Sequence, residues 1–199
     1  MKKLSLILIF FILISKITLA KNYSNDPQMF VTELVNDATS VLSNKNITKE
    51  EKTKFIEKMA TENVDINALG LYTLGELRKS AKKINIEKYQ QVFKKYFLKS
   101  LTSRLVDYSN NKFLVISSDK KSTNYTIVKS KIAENDNQPE IKIDWRVYTK
   151  NPEKPLIRDL IVEGLSLART QKEEFGSILS SNNNDINILI SKLTEFVNN

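Results

Sequence analysis

The sequence predicts an α+β fold: an antiparallel, four-stranded, twisted sheet meander flanked by about six or seven helices. Three observations carry this. Apolar residues recur at three- and four-residue spacing from Phe30 to Tyr108, the mark of amphipathic helices. After Asn110-Asn111 the spacing falls to two through a series of short segments, the mark of half-buried strands. Beyond Gly164 it becomes helical again. Strands that run together, with helices before and after, give α+β rather than an alternating α/β order.

Asp26-Pro27 opens the first helix with a capping side chain and a proline at the first helical position. Phe30, Leu34, Ala38, Val41 and Leu42 line one face of it. Thr48 and Glu51 have the spacing of a capping box for the second helix, which carries Phe55, Ile56, Met59 and Ala60. From Val64 to Gly75 a short helix is expected, bending at Tyr72-Thr73-Leu74-Gly75 into another that carries Leu77, Ala81 and Ile84. Asn85 is the expected cap of the longest helix. Its stripe runs through Tyr89, Val92, Phe93, Tyr96, Phe97, Leu101, Leu105 and Tyr108.

The strands are expected at Lys112 to Ile116, Asn124 to Ile132, Glu140 to Tyr148 and Leu156 to Glu163. Short polar links (Asp119 to Ser122, Asn135 to Pro139, Thr149 to Lys154) make each connection a hairpin and the sheet antiparallel. The third strand alternates cleanly, with Ile141, Ile143, Trp145 and Val147 on one face and Lys142, Asp144, Arg146 and Tyr148 on the other. In the fourth, Leu156, Leu160 and Val162 oppose Ile157 and Ile161, so both its faces call for cover. Gly164 permits a tight turn into a helix bearing Leu165, Ala168, Phe175, Ile178 and Leu179. A last helix follows Asn182-Asn183-Asn184 with Ile186, Leu189, Ile190, Leu193, Phe196 and Val197 as its stripe.

Composition narrows the function. Lys2 and Lys3, an apolar run from Leu4 to Ile14, and Thr18-Leu19-Ala20 read as a secretory signal peptide over residues 1–20, cleaved after Ala20. Residues 21–199 then form a single domain, large enough for a sizeable core. The chain has neither Cys nor His. That excludes disulfides, a lipid-anchored lipoprotein, thiol catalysis, Ser-His triads and the commonest zinc ligand. The formal charge is +8, with Lys2, Lys3 and Lys16 contributing three of the positive charges before Ala20. Export argues against nucleic acid as the partner of this basic chain, and leaves a mild attraction to anionic headgroups.

Two carboxylates are candidates for acid–base chemistry: Asp144 and Asp159, on adjacent strands. The competing reading pairs them with Arg146 and Arg158 at a solvated rim. With no phosphate loop, nucleophile elbow or metal-ligand spacing in the chain, an enzyme is not expected. Asn-x-Ser/Thr sequons at Asn22, Asn46 and Asn124 match the abundance of Asn and carry no weight outside a eukaryotic secretory route. The apolar inventory matters more. A sheet face with Val115, Ile127, Trp145, Val147, Leu160 and Val162 confronts Phe93, Phe97 and Leu101 of the long helix, the Leu69 to Leu74 bend and Leu165. If these faces close they are core; if they diverge they leave an apolar slot.

The string Arg158-Asp159-Leu160-Ile161-Val162-Glu163-Gly164-Leu165-Ser166-Leu167 is followed by Thr170-Gln171-Lys172-Glu173-Glu174-Phe175, and by Asp185 to Leu193 near the end. Together these resemble the MlaC family, the toluene-tolerance type of periplasmic phospholipid-binding protein. The likeness spans about Phe30 to Phe196 and is firmest from Ile141 onward. It implies an apolar cavity between sheet and helices that holds acyl tails and leaves headgroups in water. Tail contacts are then expected from Tyr72, Leu74, Phe93, Phe97, Leu101, Val115, Ile127, Trp145, Val147, Leu160, Val162 and Leu165. It further implies a monomeric periplasmic shuttle without cofactor or metal. The shuttle would serve a retrograde Mla-type ABC transport system that maintains outer-membrane lipid asymmetry. Its partners would be an inner-membrane Mla ABC transporter complex and an outer-membrane Mla lipoprotein–porin complex. The family's Gly-Trp-Arg/Lys-Val-Tyr-Asp string is replaced here by Glu153 to Asp159, without the Trp. A non-lipid-binding periplasmic protein–protein adaptor of the same fold is the alternative.

Overall fold

The computed structural model describes residues 22–105, 112–134 and 139–199. Expectations for the signal segment, for Tyr108 and for most of the Asn135 to Pro139 link lie outside these residues. The helices before the sheet are α1 (Pro27–Ser43), α2 (Lys49–Asn63), α3 (Ile66–Thr73), the single turn α4 (Leu77–Ser80) and α5 (Lys83–Leu105). The strands are β1 (Phe113–Ser122), β2 (Tyr125–Ile132), β3 (Ile141–Tyr148), β4 (Leu156–Val162) and β5 (Leu165–Ser166), and α6 (Leu167–Ser180) and α7 (Ile186–Asn198) close the chain.

Helix starts follow their caps. Asp26 accepts from Met29 N at the head of α1, and Thr48 and Glu51 form the reciprocal capping box of α2. Asp65, Ser166 and Asp185 cap α3, α6 and α7 in the same way. Asn85 is not a cap: α5 already runs from Lys83, so Asn85 and Ile84 lie within it. Residue type alone nominates a cap, but the preceding turn decides where the helix enters.

The sheet is antiparallel in the order β1-β2-β3-β4-β5. Among the described residues five strands replace the expected four, because Leu165 and Ser166 pair back on Val162 and Ile161 before α6 begins. The turn between them has positive φ at both Glu163 (48°) and Gly164 (82°), the backbone of a two-residue hairpin. Leu165 is therefore a strand residue and not part of the helical stripe. β1 also runs on through Asp119 to Ser122, which the sequence assigned to a loop.

Register fixes the faces. Trp145 lies opposite Val128 and Leu160, and Val147 opposite Thr126 and Ile157. A bulge shifts the β3–β4 register beyond Asp159, leaving Arg158 as the extra residue. It turns Ile157 inward with Val147 and puts Leu156 opposite Tyr148 on the outer face, reversing the expected assignment of these two. Ile127 is likewise corrected: it lies opposite Arg146 on the outer face, and Val128 takes the inward place.

Two apolar cores result among the described residues. α1 lies on β1 and β2, and Phe30, Val31, Leu34 and Val35 pack with Val128, Trp145, Val147 and Ile157. α5 packs on α7, α3 and α2, and Tyr89 and Phe93 join Leu69, Phe175, Leu189 and Leu193 in a second core. Among the described residues, Val64 alone touches both clusters. It sits at the α2–α3 junction, where it bridges to Ile157 of β4 and Asp65 N donates to the Ile157 carbonyl at 2.9 Å.

Candidate apolar binding site

The inner face of the sheet is built in cross-strand rows. One row runs Lys120, Thr126, Val147, Ile157; the next Ser118, Val128, Trp145, Leu160; the third Val115, Ser130, Ile143, Val162, Leu165. Among the apolar members of these rows cover thins from the first to the third, although Ser130 of the third is buried and Lys120 and Ser118 of the first two are exposed. Thr126, Val147 and Ile157 are buried, as are Val128 and Trp145, while Leu160, Ile143, Val162 and Val115 are half-buried. Leu165, at the end of the third row, is 69% exposed. Val162 and Leu165 belong to neither core.

Across from this face stands α5, which passes from one core to the other. Tyr89 and Phe93 are buried among the helices, Phe97 and Leu98 sit half-buried at that core's margin, and Leu101 and Leu105 reach the sheet-side core. A band of incompletely covered apolar side chains thus runs between the sheet's third row and the C-terminal half of α5. Half-covered apolar side chains are what a hydrocarbon ligand would need to contact.

Trp145 is the fixed point of the band. Its Nε1 donates to Ser130 Oγ at 2.9 Å, and Phe113 meets its ring edge-on at 6.0 Å. Ser130 was missed by the sequence reading, as were Phe113, Ile143 and Leu105. The sequence signal available for Ile143 was its place in the alternation of the third strand; Ser130 gave none, being a polar residue in an inward position.

The remaining expected contacts scatter. Leu74 and Phe93 are buried in the helical core, where Phe93 also packs over Gly70. Tyr72 is 40% exposed and faces the Lys172 ammonium at 5.3 Å, away from the band. Ile127, on the outer face, leaves the set. The structure therefore brings together Leu101, Val115, Trp145, Val147 and Leu160 in the sheet-side core and leaves Phe97 in the helical one, while Val162 and Leu165 continue the inner row outside both.

The charged groups nearby serve the scaffold. Asp159 is buried; its carboxylate accepts from Ser166 Oγ at 2.6 Å and Ala168 N at 3.0 Å, and Arg146 stands 3.5 Å away. Those bonds tie β4 to the start of α6 and favour the structural reading of Asp159 over acid–base work. Asp144 lies opposite Ile161, two pairs removed from Asp159 in the ladder. Arg158, the bulged residue, reaches Asp65 at 2.6 Å and Tyr125 Oη at 2.9 Å, and lies 3.4 Å over the Tyr148 ring. A hollow of about 160 Å³ at the α2–α3 junction, edged by Glu62, Asp65, Lys94 and Lys154, is polar-rimmed and distinct from the band. Among the described residues no group of acidic side chains could hold a metal ion.

No curated protein matches the chain. Among solved structures the fold is similar to that of a phospholipid-binding protein from Ralstonia solanacearum, determined in complex with a phospholipid. The TM-score is 0.69 at 17% identity, and the match covers 89% of this chain and 97% of that one. At that identity the likeness speaks for the fold. The family model for the MlaC protein matches residues 32–195, nearly all of the described domain. The chain belongs to the MlaC family.

Proposed function

We propose that this protein is a periplasmic phospholipid carrier, loading acyl tails into the band between α5 and the inner face of the sheet. The observation that carries this reading is the gradient of cover across the sheet, from buried Val147 through half-buried Leu160 and Val162 to exposed Leu165. The family and the phospholipid-bound relative of the same fold support it.

The physics of the task is simple. A two-tailed phospholipid has roughly 30 methylenes, at about 0.8 kcal/mol each for removal from water. Crossing an aqueous gap bare therefore costs on the order of 20 kcal/mol. An apolar slot removes most of that barrier without altering the balance between the two bilayers, because slot and bilayer are both hydrocarbon-like. Direction then comes from partners. An ATP-driven inner-membrane Mla complex and an outer-membrane lipoprotein–porin complex are the proposed ends of a retrograde route that keeps the outer membrane asymmetric. The shuttle works as a monomer.

The test is chemical. Protein purified from the periplasm is extracted with organic solvent and the extract is analysed by mass spectrometry. Stoichiometric phospholipid is expected. An empty extract from well-folded protein sinks the carrier and leaves the adaptor reading.

A further inference from the structure

We infer that Arg104, near the end of α5, grips the phosphodiester of the carried lipid where the apolar band meets water. The inference deepens the carrier reading and rests on it. Its starting point is a missing partner. Of the five arginines, Arg146, Arg158 and Arg169 each pair with a carboxylate, and Arg78 donates to the Gly75 carbonyl. Arg104 is exposed and makes no hydrogen bond or ion pair among the described residues. A guanidinium carries five donors in a fixed fork, and here all of them face outward.

Its place on the helix decides what it can serve. Tyr96, Ser100 and Arg104 follow one another at four-residue steps, and Arg104 stands three residues beyond Leu101 and seven beyond Phe97. At 3.6 residues per turn these share a face. By that face α5 passes from one core to the other, Phe97 packing with the helices and Leu101 against the sheet-side core. A helical side chain lies back over the turn before it, so the Arg104 stem runs over Ser100 and Leu101. Its methylenes then border the band and its charged head stands at the rim. The charge reaches back far enough to act on the Tyr96 phenol: burial raises the pKa of that group, and Arg104 opposes the rise.

The groups around it are already engaged. Tyr96 Oη donates to Gln171 Oε1 at 2.9 Å, and Gln171 Nε2 donates to the Glu174 carboxylate at 2.9 Å. Glu174 is thus held by an amide and not by the guanidinium. Lys99, the other cation in the last two turns of α5, donates to the Val197 carbonyl at 3.0 Å and lies over the Phe196 ring. Arg104 is therefore the cation left to take an anion from outside. A phosphodiester is the anion that a two-tailed lipid presents just beyond its acyl chains, and a guanidinium fork binds two of its oxygens together. Every phospholipid carries that group whatever its headgroup, so the contact selects phospholipid over a neutral lipid with the same tails.

The test reads a ratio. Protein recovered from the periplasm is brought to exchange equilibrium with phosphatidylcholine vesicles that hold traces of phosphatidylglycerol and of diacylglycerol, differently labelled and with the same acyl chains. Gel filtration then separates protein from vesicles. Wild type is expected to carry the phosphatidylglycerol label in preference. In Arg104→Gln the ratio of the two labels on the protein is expected to fall about tenfold, the effect of losing a charge-assisted contact. Arg104→Lys, which keeps the charge without the fork, is expected to fall between the two. Glutamine is a good helix former at an exposed position, so the variant retains its fold; Arg104→Met replaces it if thermal melting shows otherwise. An unchanged ratio in Arg104→Gln overturns the inference and leaves the carrier standing. So does a fall in both labels alike, which would give Arg104 a packing role. Wild type that takes up neither label ends the carrier reading, and this inference with it.

Discussion

Trp145 and Ser130 are diagonal neighbours across the β2–β3 ladder, joined in a directional chain: indole Nε1 donates to the serine hydroxyl at 2.9 Å, and that hydroxyl donates to the Ile143 carbonyl at 2.7 Å. Both side chains are buried, and a polar group so placed must be matched. Ser130→Ala strands the indole N–H and is expected to lower stability by about 1–3 kcal/mol. Trp145→Phe combined with Ser130→Ala removes both partners. Chemical denaturation of the four proteins in the cycle is expected to show the double variant losing less than the sum of the single ones.

The inner and outer faces are expected to respond differently to charge. Val162→Lys places an ammonium in the half-covered row and is expected to abolish copurifying phospholipid while the far-ultraviolet spectrum is unchanged. Ile127→Lys, on the outer face opposite Arg146, is expected to leave lipid content as in wild type. Equal lipid loss in both variants would mean that the rows have been assigned to the wrong side.

At Gly70, α3 lies directly against the Phe93 ring of α5. A Cβ built there stands 2.9 Å from Cδ1 of Phe93, so Gly70→Ala forces the ring to move. The helical-propensity gain of alanine is about 1 kcal/mol, against an overpacking penalty of about 1–3 kcal/mol. A net lower melting temperature is expected, restored in part by adding Phe93→Leu.

Tyr89 carries a pH signature. Burial holds its phenol protonated well above the ordinary value of 10.0, with the Thr73 hydroxyl 2.7 Å away. The unfolded chain releases that proton near 10.0 while the folded one keeps it. Tyr89's contribution is therefore full below that pH and is lost progressively above it. In Tyr89→Phe the fall of stability at alkaline pH is expected to be shallower than in wild type, measured by urea unfolding at neutral pH and above pH 10.0.

How much of this was legible beforehand depended on whether the signal was local. Caps at Asp26 and Thr48 were, because a helix start is written in three or four consecutive residues. So was β3, whose alternation is unbroken. β2 misled because its inward positions include Thr126 and Ser130, so that Ile127 looked like the better inward residue than it is. A search for apolar faces misses hydroxyls whose partners lie on the next strand. The bulge at Arg158 was invisible for a related reason: it is a property of the β3–β4 pair, not of either strand alone. The candidate site suffered most. Faces can be read from one element, but which faces stay half-covered depends on how α5 crosses between the two cores.

The bulged Arg158 has a last consequence. Its guanidinium lies against one tyrosine ring, bonds a second tyrosine's hydroxyl and grips the carboxylate that caps α3. A cation so wrapped offers dissolved ions little to screen. The join between helical and sheet halves is accordingly expected to hold through swings in ionic strength under which an ordinary exposed ion pair would slacken.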